Sequence, residues 1–430
     1  MEWKKHYKSH TCTAEEAVDA IKDDYNLVYG HATGVPNVFN KALTAQKDRF
    51  SNVSIYHLLI SGTPWHISPE MKGRFNTIST FVCKTSLKGS DEGLIDYMPC
   101  FFHEVPSLFQ KGLYPVDVAV VQLSKPSKEG YCSFGVSCDY TKPAVECAKI
   151  VIAEINDQMP IIGGDNFVHV TDLDYIIETS EPLAETSAAE SSELDFVIAK
   201  HCASLIGDGA TLQIGIGAIP DAVLSMLKDR KDLGIHTELF TEGIIDLVNA
   251  GVITGKRKTI HPHKIIATFI MGTKRVYDFV HENPIVEMYP VDYVNDPYVI
   301  GLNDNMISIN SCIEVDLMGQ VNSETIGTRQ YSGTGGQVDY VRGTRLSKGG
   351  KSIIAIPSTA AGGKISRIVP FLTQGAAVTT SRNDVDYIIT EYGIAHLTGK
   401  TLRQRAKLLI DLAHPQFREE LMEEFDKRFK

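Results

Sequence analysis

The chain has 430 residues, 43% of them hydrophobic, and a formal net charge of −11 at pH 7. This length exceeds one ordinary hydrophobic core, so two domains are expected. The acidic balance argues against a nucleic-acid-binding surface, and no apolar run approaches the roughly 20 residues that cross a membrane. The first residues, MEWKKHYKSH, carry charge without an apolar stretch. Secretion is therefore not expected, and we predict a cytoplasmic protein.

Apolar, β-branched runs alternate with amphipathic helical patterns along the chain. Continuous apolar strands between helices are typical of parallel sheets covered on both faces, so the fold class is predicted as α/β. The predicted strands are 26–32, 53–60, 116–123, 149–155, 174–178, 211–217, 264–271, 352–357 and 386–390. The predicted helices are 14–23, 192–206, 221–230, 402–413 and 416–429.

A polar, acidic stretch without apolar periodicity, ETSEPLAETSAAESSE, covers 178–193 and is typical of a linker. We therefore predict one domain over 1–187 and a second over 188–430. The two halves also resemble each other, because LVYGHATGVPNVFNKAL (27–43) aligns with TLQIGIGAIPDAVLSML (211–227) and LDYIIETSEPL (173–183) with VDYIITEYGIA (385–395). Two matches in the same order favour a duplicated domain over chance.

Two glycine clusters are candidate ligand loops. In GIGAIP (215–220), backbone N–H groups can cradle a phosphate-bearing ligand, and Pro220 is predicted to be the first residue of the following helix. A strand–helix turn without a ligand is the alternative. In SGTGGQVDYVRG (332–343), clustered glycines allow close backbone approach, and the alternative is a hairpin turn. KGGKS (348–352) lacks the first glycine of an ATP loop, because Arg345 occupies that position, so ATP is not predicted.

Several acids and one histidine are candidates for chemistry. Glu238, in GIHTELFTEG, is the candidate nucleophile, and Glu242 is its nearest competitor. From spacing alone, a solvated loop carboxylate is the commoner explanation for either. Glu391 follows a predicted strand, and His31 lies in the first-half counterpart of the glycine loop, where a structural role is also open. The eight cysteines form no CxxC pair and the histidines no ligand cluster, so no metal site is predicted.

GIGAIP, HTE, VDYVND, SGTGGQVDYVRG and ITEYGIAHLTG, in this order and spacing, resemble the family I CoA-transferases, in the acetyl-CoA hydrolase/transferase branch. The resemblance covers essentially the whole chain. It implies two similar α/β domains with largely parallel sheets and an active site between them. It also implies coenzyme A as a co-substrate in the form of acyl-CoA, small carboxylates as partners, and a homodimer or higher homo-oligomer. Metal, nicotinamide and ATP are not expected.

The resemblance also assigns roles to residues. Glu238 matches the nucleophile, carried by the C-terminal domain. The remaining matches are Gly215, Ile216, Gly217, Ala218 and Ile219 for the CoA-binding and oxyanion loop; Ile313, Gly336 and Ala355 for further CoA contacts; and Asn295 and Glu391 for polar active-site positions.

The resemblance leaves two candidate pairs of substrates. Branch likeness favours 4-hydroxybutyrate with acetyl-CoA, and butyrate with acetate is the alternative. The segment SGTPW (61–65) is expected to influence acid selectivity, and His31 is the candidate polar contact to the substrate hydroxyl. A CoA hydrolase is a second hypothesis. A regulatory protein that binds nucleotides through its glycine loops is a third, although it leaves Glu238 without a role.

Overall fold

The computed structural model describes residues 2–187 and 189–429, which form two compact units. Unit 1 holds the described residues of Met1–Ser187 together with Glu238–Glu242 and Ile266–Val294. Unit 2 holds those of Ala188–Thr237, Gly243–Ile265 and Asn295–Lys430. The first division falls inside the predicted linker. The predicted C-terminal range is not one unit, however, because two of its segments pack with unit 1, and one of them contains Glu238.

The α-helices are, in chain order, α1 Glu2–His10, α2 Ala14–Ala17, α3 Asn37–Ala45, α4 Leu87–Asp91, α5 Val105–Gln110, α6 Thr141–Cys147, α7 Glu193–Ser204, α8 Ala218–Ser225, α9 Glu242–Asn249, α10 Lys274–Val280, α11 Val291–Val294, α12 Pro297–Gly301, α13 Gln337–Leu346, α14 Leu402–Leu412 and α15 Pro415–Arg428. Capping boxes fix where α2, α7 and α14 begin, through Thr13, Ser192 and Thr401. Among the described residues, none of the helices has the length and apolarity that crossing a membrane requires.

The strands of the first half are β1 Asn26–Tyr29, β2 Val53–Tyr56, β3 Phe75–Ser79, β4 Ile95–Tyr97, β5 Val118–Leu123, β6 Tyr131–Ser133, β7 Ile150–Asn156, β8 Gly163–Gly164, β9 Phe167–His169 and β10 Tyr175–Thr179. Those of the second half are β11 Thr211–Ile214, β12 Gly234–His236, β13 Leu239–Phe240, β14 Ile265–Ala267, β15 Phe269–Ile270, β16 Val286–Met288, β17 Met306–Asn310, β18 Glu314–Asp316, β19 Val321–Asn322, β20 Thr325–Ile326, β21 Arg329–Gln330, β22 Lys351–Ala355, β23 Thr359–Ala360, β24 Ile365–Ser366, β25 Ile368–Val369, β26 Tyr387–Thr390 and β27 Gly393–His396.

Unit 1 is built on a seven-stranded sheet in the order β10-β7-β5-β1-β2-β3-β4. Every pairing in it is parallel. Apolar side chains cover both faces, with Leu27 and Ile55 in one core cluster and Val28 and Tyr56 in the other. This two-sided burial confirms the predicted α/β class and explains the near-continuous apolar strands.

Unit 2 repeats this strand order. Its strands run β27-β26-β22-β17-β11-β12, parallel except for the β26–β27 hairpin. The series β26-β22-β17-β11-β12 has the same order as β10-β7-β5-β1-β2 in unit 1. The two pairs of matched sequence stretches fall on β1 with β11 and on β10 with β26. The topology therefore agrees with a duplicated α/β domain.

The structure differs from the sequence-based predictions in several local details. The strand predicted over 264–271 is two strands, β14 and β15, interrupted at Thr268, whose N–H and C=O bond to other segments. β17 was not predicted, because its buried Ser308 interrupts the apolar pattern. Pro220 is the third residue of α8 rather than the first. It still lies in the first turn, where its missing N–H leaves no intrahelical hydrogen bond unmade.

A buried carboxylate occupies the N-terminus of α3, the helix that follows the first-half loop. Glu154 is 1% exposed, and its Oε1 accepts the N–H of Phe39 at 2.6 Å. The N-cap residue, Pro36, makes no side-chain hydrogen bond itself. An internal acid therefore satisfies an N–H group that would otherwise await a ligand or water. Burial raises the pKa of Glu154 from 4.5 to about 8.

This pKa shift predicts a pH-dependent stability. The folded state holds the Glu154 proton more tightly than the unfolded chain. The contribution of this group to the free energy of unfolding is therefore complete below about pH 4.5 and falls as pH rises towards about 8. Between these pH values the free energy of unfolding of the unmodified protein should fall by up to about 1.4 kcal/mol per pH unit because of Glu154. In Glu154→Gln this fall should be absent. Urea unfolding at several pH values measures it. The exposed Glu178→Gln is the control, and identical pH profiles for all three proteins would contradict the prediction.

Candidate active site

The carboxyl ends of neighbouring parallel strands lie at one edge of the unit 2 sheet. The strands β11, β17, β22 and β26 are consecutive parallel neighbours. The predicted residues at this edge are Gly215 directly after β11, Ile313 soon after β17, Ala355 at the end of β22 and Glu391 directly after β26. Ligands of open α/β sheets bind outside these ends. Folding thus brings together residues that lie far apart in sequence.

The loop after β11 is open and has a conformation that suits only glycine. Gly217 has φ +123° and ψ 175°, a region that residues with a Cβ avoid. A Cβ built at Gly217 would have no neighbouring atom within 4 Å, and the side chain of Ile216 is 60% exposed. The helix α8 starts at Ala218 without a side-chain cap. Uncapped N–H groups at the start of a helix can bind an anionic ligand or a developing oxyanion.

The second glycine cluster also leads into a helix. Gly336 is buried and is the N-cap residue of α13, and Gly335 has φ +51°. The preceding loop is anchored by Glu324, whose carbonyl accepts the N–H groups of Tyr331 and Ser332 at 2.8 and 2.9 Å. The cluster therefore connects β21 to α13, and the hairpin-turn alternative is wrong.

Glu238 follows β12, the parallel neighbour of β11, by two residues. It is partly exposed, while Thr237 and Leu239 on either side are buried. Its carbonyl accepts the N–H groups of Thr268 and Phe269, both at 3.1 Å. Buried neighbours and two main-chain hydrogen bonds fix the backbone of Glu238, and its partial exposure leaves the residue accessible to solvent.

Glu242, the competitor of Glu238, is bound to its surroundings in unit 1. It is the first residue of α9, and its two carboxylate oxygens bond to different groups. Oε2 accepts the hydroxyl of Thr273 at 2.9 Å, and Oε1 pairs with the guanidinium of Arg275 at 3.2 Å. A carboxylate held by a cation and a hydroxyl is a weaker nucleophile. These two partners give the Glu242 carboxylate a structural role at the start of α9.

Glu391 and Asn295 bond to other parts of unit 2. The carboxylate of Glu391 accepts the N–H of Ser358 at 2.8 Å and its hydroxyl at 2.6 Å. Glu391 therefore holds the chain that follows β22, beside Ala355. Asn295 is fully buried, and its Nδ2 donates to Asp339 Oδ2 at 3.4 Å. Both side chains therefore bond to other residues of unit 2.

His31 is fully buried in unit 1, and its Nδ1 lies 3.0 Å from Asp139 Oδ2. No described protein group bonds to its Nε2. The aligned stretches 27–43 and 211–227 pair His31 with Gly215, so an imidazole occupies the first loop where the second has no side chain. His31 and Glu238 belong to unit 1, and the other predicted site residues belong to unit 2.

Comparison with known proteins identifies the family. The family described as "Acetyl-CoA hydrolase/transferase N-terminal domain" matches residues 1–185, and the family of the corresponding C-terminal domain matches residues 272–425. The chain is also 57% identical over 429 residues to 4-hydroxybutyrate coenzyme A transferase of Clostridium kluyveri, covering 100% of both chains. The chain belongs to the acetyl-CoA hydrolase/transferase family of CoA-transferases.

Two further members of this CoA-transferase family are similar over nearly their full length. The crystal structure of 4-hydroxybutyrate CoA-transferase from Porphyromonas gingivalis has 50% sequence identity and a TM-score of 0.87, and the match covers 99% of this chain and 100% of that one. Butyryl-CoA:acetate CoA-transferase of Anaerostipes caccae is 37% identical, and the match covers 99% of this chain and 98% of its own. Relatives named for different acids thus match this chain over nearly its full length.

The sequence of this CoA-transferase did not reveal two residues that bond to the predicted site residues. Asp139 bonds to His31 across 108 positions and Ser358 bonds to Glu391 across 33, and neither lies in a recognisable motif. Contacts of this range have no local sequence signal. Among the described residues, no group of three or more His, Cys, Asp or Glu side chains is arranged to hold a metal ion.

Proposed function

We propose that this CoA-transferase moves CoA between short-chain carboxylates, with Glu238 as the covalent nucleophile. One observation carries the proposal: a partly exposed glutamate follows β12, while the uncapped glycine loop follows its parallel neighbour β11. In this proposal the Glu238 carboxylate attacks the thioester carbonyl, and the N–H groups of the loop stabilise the oxyanion that forms.

The proposed reaction has two half-reactions and needs no net proton transfer. The Glu238 carboxylate attacks the thioester carbonyl of acyl-CoA, which breaks the C–S bond and gives an acyl-glutamyl anhydride and CoA thiolate. The thiolate then attacks the glutamyl carbonyl of the anhydride, which forms a glutamyl-CoA thioester and releases the first carboxylate. A second carboxylate reverses these steps. The thioester energy is conserved, so the scheme has no role for ATP, nicotinamide or metal.

The loop and the second glycine cluster would hold CoA. In this proposal Gly215, Ile216, Gly217, Ala218 and Ile219 bind CoA and the oxyanion, and Ile313, Gly336 and Ala355 line the rest of the CoA site. The openness of the loop at Gly217 supports this assignment. Asn295 and Glu391 are the polar active-site residues of this proposal, together with His31.

The intermediate gives a direct test. Incubation with acetyl-CoA alone, followed by digestion and mass spectrometry, should reveal CoA covalently attached to the peptide that contains Glu238. The same experiment with free CoA and no acyl group is the control. A CoA adduct on Glu242, or no adduct while transfer proceeds, would remove Glu238 from the role of nucleophile.

For the substrates we propose 4-hydroxybutyrate with acetyl-CoA, because the relatives from C. kluyveri and P. gingivalis carry that name. Butyrate with acetate is the alternative, supported by the relative from A. caccae. The family description also names hydrolases. Thiol release from acetyl-CoA with and without a carboxylate acceptor separates the two activities, because a transferase exchanges CoA between acids and a hydrolase releases it to water.

Two finer expectations complete the proposal. The chain is expected to form a homodimer or a higher homo-oligomer and to work in the cytoplasm with dissolved acids and acyl-CoA. Light scattering of the purified protein measures the first, and fractionation of cells that express it measures the second.

A further inference from the structure

The histidine of the first loop is held by a carboxylate that no sequence motif revealed. His31 and Asp139 both have side chains with 0% exposure, and the atoms Nδ1 and Oδ2 lie 3.0 Å apart. The N–H of His31 is also fixed, because it donates to Ser137 Oγ at 3.1 Å. Main chain and side chain of His31 therefore bond to the same short segment, 137–139.

The other partners of Asp139 are donors. Its Oδ2 accepts the hydroxyl of Ser137 at 3.0 Å, and its Oδ1 accepts the N–H of Tyr140 at 2.7 Å. The hydroxyl of Thr141 adds a longer contact to Oδ1, at 3.4 Å. A carboxylate surrounded by donors is an acceptor, so the hydrogen between Asp139 and His31 belongs to the Nδ1 of His31. In the neutral ring, Nε2 is then a hydrogen-bond acceptor.

Apolar rings surround the rest of the imidazole. Ring centroids of Phe269, Tyr140 and Phe102 lie 4.5, 5.5 and 5.8 Å from that of His31. No described protein group bonds to Nε2, and a buried nitrogen left without a partner is unfavourable by about 1–3 kcal/mol. A hydroxyl group that donates to Nε2 would remove this cost.

The same part of unit 1 also holds the backbone of Glu238. The carbonyl of Thr268 accepts the N–H groups of Cys138 and Asp139, both at 3.2 Å. The N–H groups of Thr268 and Phe269 donate to the carbonyl of Glu238 at 3.1 Å, and the Phe269 ring packs against His31. One dipeptide, 268–269, thus connects the Asp139–His31 pair to the main chain of the proposed nucleophile.

We propose that Asp139 is a positioning residue that determines selectivity between hydroxy acids and plain acids. It holds the proton on Nδ1 of His31, so that Nε2 accepts the hydroxyl of a hydroxyacyl substrate. The inference rests on the proposed function, because it places the acyl chain beside Glu238. A plain acid of the same length offers no donor and leaves Nε2 without a partner.

The activity test compares two acids in each variant. Asp139→Asn removes the charge without changing the shape and favours the other tautomer of His31. With acetyl-CoA as donor, the ratio of kcat/KM for 4-hydroxybutyrate to that for butyrate should fall by about tenfold or more. Asp139→Glu should restore part of it. In a His31→Ala background, Asp139→Asn should change the ratio no further.

Asp117→Asn is a matched control. Asp117 is an 8% exposed carboxylate of unit 1 that precedes β5, at the opposite, amino end of the sheet, where it accepts the N–H of Asn26 at 2.8 Å. This variant should keep the selectivity ratio of the unmodified protein. Equal losses on both acids in Asp139→Asn, or an unchanged ratio, would overturn the inference. If the unmodified protein transferred CoA to neither acid, both the proposed function and this inference would be wrong.

A spectroscopic measurement tests the tautomer without any substrate and without a variant that must stay active. In protein labelled with ¹⁵N at histidine, the His31 signals, identified by their loss in His31→Gln, should show a hydrogen on Nδ1 and a bare Nε2. Observation of hydrogen on Nε2 alone would overturn the inference even if transfer and the Glu238 adduct were intact.

Discussion

Replacing Glu238 by alanine is expected to abolish CoA transfer. Without the carboxylate no anhydride and no enzyme-bound thioester can form, and loss of a covalent nucleophile typically costs on the order of 10⁴-fold or more in kcat. The protein should stay folded, because the carbonyl of Glu238 bonds to Thr268 and Phe269 through the main chain, which alanine keeps. Initial rates of acyl exchange between acetyl-CoA and a carboxylate measure the effect.

Glu242→Ala is the matched control for this variant. Glu242 lies four positions away, is also partly buried, and pairs with Arg275. Its removal should lower stability slightly and leave transfer within a small factor of the unmodified rate. Substantial transfer by Glu238→Ala, or equal loss in both variants, would show that the covalent step takes place elsewhere.

Gly217→Val is expected to lower kcat by about 10²–10³-fold, the usual effect of losing one oxyanion donor. The reason is conformational, since at φ +123° and ψ 175° valine is strained by about 1–3 kcal/mol although no neighbouring atom lies near its Cβ. The loop should relax to another conformation and turn its N–H groups away. Steady-state kinetics, together with thermal unfolding, measure both effects.

Gly251→Val provides the comparison for strain alone. Gly251 has φ +71°, also has no atom within 4 Å of its Cβ position, and follows α9 in unit 2. It should be destabilised to a similar extent while kcat is preserved. Near-normal turnover in Gly217→Val would place the oxyanion donors outside the loop.

The features that the sequence revealed are those with a local physical cause. Glycine spacing and a proline mark the loop before α8, because only certain residues adopt the required backbone angles. Alternating apolar strands and helices indicated parallel sheets. No local pattern of this kind predicts a role for Glu238. Only its motif, HTE, within the wider family pattern singled it out. Its position after β12 depends on the pairing of β12 with β11.

The features that the sequence did not reveal depend on distant partners. Nothing in the sequence of 264–271, KIIATFIM, signals the break between β14 and β15 at Thr268. Hydrogen bonds to residues 138–139 and to Glu238 cause this break. Ser308 made β17 look polar, although the finished sheet buries it completely. Glu391 was correctly expected at a strand end, whereas its bond to Ser358 depends on the pairing of β22 with β26.

The two loops of the duplicated domain have diverged in opposite directions. The first is filled by the His31 ring, and the helix behind it takes the Glu154 carboxylate at its N-terminus, whereas the second keeps bare glycines and an uncapped helix. Under the proposed function the consequence is stoichiometric. If the second loop alone binds CoA, each chain holds one acyl-CoA at a time, and the donor and acceptor acids must take turns. Alternation between half-reactions would then follow from the imidazole that fills the first of the two matching loops as much as from the chemistry of the glutamate.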